Sequence, residues 1–197
     1  FRDFNSAKKY KPDYYNKLII IDYSDNPNKL INLPCLKYFK RSVVNKKTMQ
    51  IINYNRKIIP ISYCLKQEVL SFKNIAKYPR NIDISIFFNP NNMNYRNRIA
   101  KYIKNNFSHR NIFVGICGND GMVGRNSIQM NYYQKMFHSK IIVTCNPDFW
   151  EGDYRTWEAL SSGALVFVDN MKTPIIHPLK NKKHVIFYNR DNLFDLK

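Results

Sequence analysis

The stretch from Asp153 to Asp169 constrains the fold more than any other part of the chain. Asp153 suits a helix N-cap, Tyr154 to Ser162 reads as the helix body, and Gly163 supplies the residue that turns the chain with positive φ. Ala164-Leu165-Val166-Phe167-Val168-Asp169 then follows at once as a strand of the fully buried kind. A helix passing through one glycine into an apolar strand is half of a strand–helix–strand unit. Further strands are predicted at Ile82–Phe88, Asn111–Cys117, Lys140–Cys145 and His184–Tyr188, and helices at Tyr95–Asn105 and Ser127–His138. In the first of these helices Ile99, Tyr102 and Ile103 form the apolar stripe, with Arg96, Arg98, Lys101 and Lys104 on the polar face. Strands alternating with helices argue an α/β fold built on a doubly wound parallel sheet with right-handed crossovers.

The first eighty residues are less regular. Leu18-Ile19-Ile20-Ile21 is a run of strand length closed by Asp22-Tyr23-Ser24-Asp25-Asn26-Pro27. Two acids just past a strand's C-terminal end stand where open α/β sheets place ligands, while on pattern alone an ordinary Asx turn is the favoured account. Tyr38–Val44 and Lys57–Tyr63 are predicted as two further short elements, and 45–57 and 66–80 as loops or surface helix. The expected division is a partial α/β region over 1–80 and a complete α/β domain over 81–197.

Composition narrows the partners. The 197 residues carry 32 Lys and Arg against 14 Asp and Glu, a formal charge of +18, with +12 of it in residues 1–80. Such a balance attracts polyanions, including nucleic acid and phosphorylated small molecules. The 26 Asn, 23 Ile and 22 Lys also match the drift of an AT-rich genome, which would place much of the charge on a solvated surface. No uncharged apolar run approaches the ~18 residues of a membrane span. The chain opens Phe1-Arg2-Asp3, without Met or an apolar leader, as a fragment or processed piece would. Cys35, Cys64, Cys117 and Cys145 are widely spaced, and His109, His138, His177 and His184 add no metal-ligand spacing. Reduced thiols favour a cytosolic compartment.

The loop and helix from Asn146 to Gly163 hold the chemistry. A helix entered through a glycine-containing loop offers unpaired N–H groups and a positive dipole end to a phosphate. Arg155 and Glu158, three apart, share a helical face: Arg155 can grip phosphate oxygens and Glu158 can accept two ribose hydroxyls. The competing reading is a solvated surface ion pair worth at most ~0.5 kcal/mol. Trp157, on the face opposite Arg155, is expected in the core. The loop from Gly118 to Gly124 with Arg125 matches neither common phosphate-loop fingerprint and is expected at the crevice rim.

Arg155-x-x-Glu158-Ala159-Leu160-x-x-Gly163-Ala164-Leu165-Val166-Phe167-Val168-Asp169 resembles the C-terminal nucleotide-sugar domain of GT-B glycosyltransferases, of the group-1/exostosin-like set. Tyr132-Tyr133, Ser139-Lys140-Ile141-Ile142-Val143-Thr144, Asn146-Pro147 and Trp150-Glu151-Gly152-Asp153 follow that pattern in order. Ile21-Asp22-Tyr23-Ser24-Asp25 and Phe39-Lys40-Arg41-Ser42 resemble its earlier segments. The resemblance covers residues 80 to 190 well and the start sparsely. It implies a Rossmann-like second domain, with a shortened first domain on the acceptor side.

The resemblance further implies transfer of a sugar from a nucleotide diphosphate-sugar to the hydroxyl of a glycan, protein or small-molecule acceptor. No metal or other cofactor is expected. Glu158 would bind the ribose, and Arg155 the diphosphate. Glu151, Gly152 and Asp153 would line the sugar and phosphates, Lys140 and Arg125 would assist, and Asp22 or Asp25 would be the acceptor-side base. Glu151 and Glu158 lie seven apart, where retaining members space two glutamates by eight. Two other readings stand beside this one. The first is a basic nucleic-acid-binding protein whose 14 Tyr and 13 Phe would stack bases, although they fall mostly within apolar strands. The second is a non-catalytic protein that keeps the transferase fold.

Overall fold

A computed structural model describes residues 16–24, 26–45, 48, 50–55, 57–65, 67–70, 77–89, 93–114, 130–146, 153–171 and 177–197. The described residues divide into two compact units, the first up to Ser62 with residues 177–178, the second from Tyr63 to Met171 with Leu179–Lys197. Residues 63–80 therefore group with the second unit, earlier than the expected division at 80/81. The reason is packing: Leu65, Val69 and Tyr78 join the apolar cluster of the second unit.

The first unit holds three parallel strands in the order β1 (Ile19–Asp22), β2 (Lys37–Lys40), β3 (Ile58–Pro60). β1 alternates: Ile19 and Ile21 face out while Ile20 and Asp22 face in. An unbroken Ile-Ile-Ile run is thus only half-buried, as a pleated strand's two-residue period dictates. Pro60 ends edge strand β3, where the missing N–H costs no ladder bond. β2 is shorter than predicted, because the chain turns at Ser42, a non-glycine residue with φ 56°. Val43 and Val44 beyond it are buried nonetheless.

The second unit is a five-stranded, all-parallel sheet of β4 (Ile82–Ile86), β5 (Ile112–Val114), β6 (Ser139–Val143), β7 (Leu165–Asp169) and β8 (Ile186–Tyr188). Their spatial order is β5-β4-β6-β7-β8. Counted from β4 this is the doubly wound order 2-1-3-4-5, which changes direction between β4 and β6. Among the described residues the helices are a single turn α1 (Gln67–Leu70), then α2 (Asn94–Asn106), α3 (Met130–Phe137) and α4 (Tyr154–Ser161). A terminal 3-10 turn spans Leu193–Leu196.

Each face of the sheet has its own core. One gathers Phe87, Ile142, Val166 and Val168 with Tyr132, Tyr133, Met136 and Phe137 of α3 and Ala159 of α4. The other gathers Ile84, Ile86 and Val143 with Ile99, Ala100 and Ile103 of α2 and Leu193 and Leu196 of the terminal turn. Adjacent Ile142 and Val143 serve opposite faces, as the pleat requires. The chain is therefore an α/β protein of Rossmann-like class, with α2 on one face and α3 and α4 on the other. No helix among the described residues is long and apolar enough to cross a membrane.

Two readings change on contact with the packing, and a third is sharpened. Arg96, expected on the polar face of its helix, is 3% exposed. It lies three residues before Ile99 and seven before Ile103, so helical period alone puts it on the buried stripe. α1 is a surface turn with one anchored residue, since Leu70 is 41% exposed while Val69 is 2% exposed within the core. Trp157 is only half-buried, while Thr156, Glu158 and Ala159 form the buried stripe of α4.

Candidate functional site

The C-terminal ends of β6, β7 and β8 carry a connected polar group that the first turns of α2 and α4 complete. Thr144, Cys145 and Asn146 leave β6, Asp169 ends β7, and Arg190 follows β8. Asn146 is fully buried and bonded in three directions. Its N–H donates to Asp169 Oδ1 at 2.8 Å and its side-chain Nδ2 to the same oxygen at 2.9 Å. Its Oδ1 accepts from the Asp153 N–H at 2.9 Å. Its carbonyl accepts from the Tyr95 hydroxyl at 3.3 Å.

Asp153 is the N-cap of α4, with Oδ1 accepting from the Thr156 N–H at 3.2 Å, and Arg155 pairs with its Oδ2. This alters the sequence reading: the positive end of α4 is already met by a carboxylate from its own chain. Gly163 closes the helix with φ 71°, as predicted, and runs directly into β7. Glu158 is 2% exposed, which removes the solvated surface pair as an account of it. Its two carboxylate oxygens accept from the Tyr132 and Tyr133 hydroxyls of α3 at 3.2 and 3.4 Å.

The start of α2 differs from that of α4. Met93 at its N-cap offers no side-chain cap, and the first turn holds no acid. Arg96, in that turn, donates from Nη2 to the Cys145 carbonyl at 2.7 Å, and its guanidinium lies 5.6 Å from the Phe88 ring centroid. Its Nε has no partner among the described residues, and no carboxylate there pairs with it. An arginine held this deep without a counter-charge is costly, and an anion is what would satisfy it. Sequence reasoning missed Arg96, Asn146, Asp169 and Arg190. The spacing of Arg96 to Ile99 and Ile103 was the available signal for the first. The others meet only through tertiary contacts.

Titration behaviour follows burial. Desolvation is the dominant influence on Asp169, which is 0% exposed, and pushes its carboxyl up to about 7 despite Asn146 and Arg190. Burial likewise raises the Cys145 thiol to about 12 and the Tyr188 phenol well above 10, and that hydroxyl donates to the Thr144 carbonyl at 2.7 Å.

The remaining expected residues are not drawn into this group. Lys140 opens β6 at the opposite rim of the sheet, half-exposed, and donates to Asp83 at 2.7 Å. Five residue steps of extended chain, at about 3.3 Å each, separate it from Cys145. Asp22 belongs to the first unit. Its Oδ2 accepts from Lys40 Nζ and Tyr38 Oη, both at 2.9 Å, and its Oδ1 from the Ser24 N–H at 2.9 Å. Burial acts to raise its carboxyl, but the bonds from Lys40, Ser24 and Tyr38 outweigh it and hold the group below its ordinary 3.8. Asp22 is thus an anion locked in a buried ion pair, and a base role calls for that lock to open. Asp25, Arg125, Glu151 and Gly152 lie outside the described residues.

Compared with protein-family models, curated proteins and solved structures, the chain matches none.

Proposed function

We propose that the second unit binds a nucleotide diphosphate-sugar and that the protein is a glycosyltransferase of GT-B type. The observation that carries the reading is the buried Arg96, without a carboxylate partner among the described residues, in the uncapped first turn of α2. That turn stands at the point where the strand order reverses, the place at which open α/β sheets take phosphorylated ligands. The resemblance of Arg155 to Asp169 to a nucleotide-sugar domain supports the same ligand.

In this reading the diphosphate meets Arg96 and the N-terminal N–H groups of α2, rather than α4, whose start Asp153 already occupies. Arg155 lies beside it through Asp153, and Glu158 accepts the ribose hydroxyls in place of, or along with, the two tyrosines. Glu151, Gly152 and Arg125 would line the sugar and phosphates as the resemblance implies. Charge building on the leaving diphosphate in an oxocarbenium-like transition state would be stabilised by preorganised donors in a dry site. The acceptor side would be the first unit's, with Asp22 or Asp25 as base after release of Asp22 from Lys40. No metal enters the scheme.

The test is binding of uridine and guanosine diphosphates and their sugars to the whole chain without added metal. One nucleotide should bind and Arg96→Met should remove it, with Glu158→Gln weakening it by about tenfold through a lost charge-assisted bond. Undiminished binding by Arg96→Met would overturn the placement. Single-stranded nucleic acid bound in its stead, with affinity falling steeply as salt rises, would favour the polyanion reading.

A further inference from the structure

We propose that Asp169 is the positioning residue that holds the first turns of α2 and α4 in register and couples nucleotide affinity to its own ionisation. The ligand in this proposal rests on the donor reading above; the positioning does not. Two chains of contact meet at this carboxylate. Oδ1 takes both donors of Asn146, whose Oδ1 takes the Asp153 N–H, whose side chain in turn caps Thr156. That line runs from the end of β7 to the first turn of α4. On the other side Oδ2 faces Arg190 Nη1 at 3.6 Å, and the Arg190 guanidinium lies 4.5 Å from the Tyr95 ring centroid. Tyr95 sits in the first turn of α2, and its hydroxyl closes the circuit on the Asn146 carbonyl.

The same geometry makes the node titratable. Oδ2 is buried and makes no hydrogen bond among the described residues, its contact being the ion pair with Arg190, so the carboxylate's charge is held by Oδ1's two donors and by Arg190. The neutral acid surrenders the attraction for Arg190 and weakens the grip on Asn146, since bonds to an ionised oxygen are about twice as strong as neutral ones. Ionisation pulls both lines tight. Of the groups around Asp169, Cys145 and Tyr188 are pushed by burial to about 12 and well above 10. Arg190 faces its Oδ2, Arg96 is held at the Cys145 carbonyl, and Asp153 stands beyond Asn146, ion-paired to Arg155. With its carboxyl at about 7, Asp169 is the member of this set placed to titrate between pH 6 and 8.

The experiment has a ligand-free arm and a ligand arm on the whole chain. Amide hydrogen exchange at pH 7.5 reads the Asp153 and Thr156 N–H groups directly. Asp169→Asn, checked for a native circular-dichroism melt, should speed their exchange about fivefold or more, as expected for loss of a charge-assisted bond. Unchanged exchange overturns the proposal. Arg190→Gln, should Asp169→Asn fail to fold, removes the charge that lowers the Asp169 carboxyl. It should move the midpoint of the exchange pH profile above 7, and an unmoved midpoint is equally fatal. In the ligand arm a nucleotide-sugar, whose diphosphate does not titrate here, should bind the wild type more tightly at pH 8 than at pH 6 and Asp169→Asn without that rise. A rise that persists in Asp169→Asn overturns the coupling. Faster exchange in Asp169→Asn with no nucleotide-sugar bound by the wild type upholds the positioning and overturns the donor reading instead.

Discussion

Asp22 and Asp169 each end a parallel strand, each is buried, and their carboxyls move in opposite directions. Three hydrogen bonds, one from the Lys40 ammonium, outweigh burial at Asp22. At Asp169 the bonds converge on one oxygen, and burial wins. The consequences for stability have opposite signs. Asp22 releases its proton more readily folded than unfolded, so its contribution is present above about pH 4 and is lost as acid protonates the folded carboxyl. Asp169 keeps its proton up to about 7 in the folded protein but only to its ordinary 3.8 unfolded, so stability falls as pH rises between those values. Asp169→Asn should flatten the slope of melting temperature against pH between 4.5 and 7, and a slope equal to wild type would refute this. Lys40→Met strands a buried carboxylate and should cost about 3–5 kcal/mol in urea unfolding at pH 7. Ser42 presents a different case. Its φ of 56° costs about 1–2 kcal/mol for a residue with a Cβ, and its buried hydroxyl has no partner among the described residues. Ser42→Gly relieves both at an entropic cost of about 0.5–1 kcal/mol, so a net gain in stability is expected. A loss would show that the hydroxyl is used.

At the scale of elements, α4 and β7 were the most legible part of the chain, because cap, stripe, glycine and strand all point the same way. Asp153→Ala should cost about 1 kcal/mol as a lost N-cap, and Gly163→Ala about 1–2 kcal/mol at φ 71°, both read from thermal melts. Equal stability of Gly163→Ala would mean that the left-handed turn is not held in solution. α2 was predicted one residue short at each end and misread at one position. Charge placed Arg96 outside, whereas the period it shares with Ile99 and Ile103 places it inside; pattern alone does not reveal whether a buried charge has a partner. The Asn146–Asp169 pair was out of reach for another reason. Those residues lie 23 apart and meet only because β6 and β7 end side by side. Lys140 illustrates the converse, since position at the start of β6 sets it against Asp83 at the far rim.

Across the whole molecule, the parallel α/β class and the order of elements in the second unit follow from apolar strands alternating with helices. The place of the unit boundary does not, because residues 66–80 read as basic loop or surface helix, yet Val69 and Tyr78, with Leu65 just before them, join the second core. Net charge of +18 says that an anion is attracted, not where it binds. In the proposed reading that place is the reversal point of the five-stranded sheet. Arg96→Met then separates function from folding: it replaces a buried guanidinium that pairs with no carboxylate among the described residues by an apolar chain, so the ligand-free protein should become more stable by about 1 kcal/mol. The most direct measurement is a metal-free thermal-shift comparison of wild type and Arg96→Met against nucleoside diphosphates and nucleotide-sugars. Ligand at about 100 times Kd should stabilise the wild type by about 2.7 kcal/mol, several degrees in a chain of this size, for one nucleotide. Arg96→Met should melt higher without ligand and fail to respond to it. A wild type indifferent to every nucleotide, or a response left whole in Arg96→Met, would contradict the account.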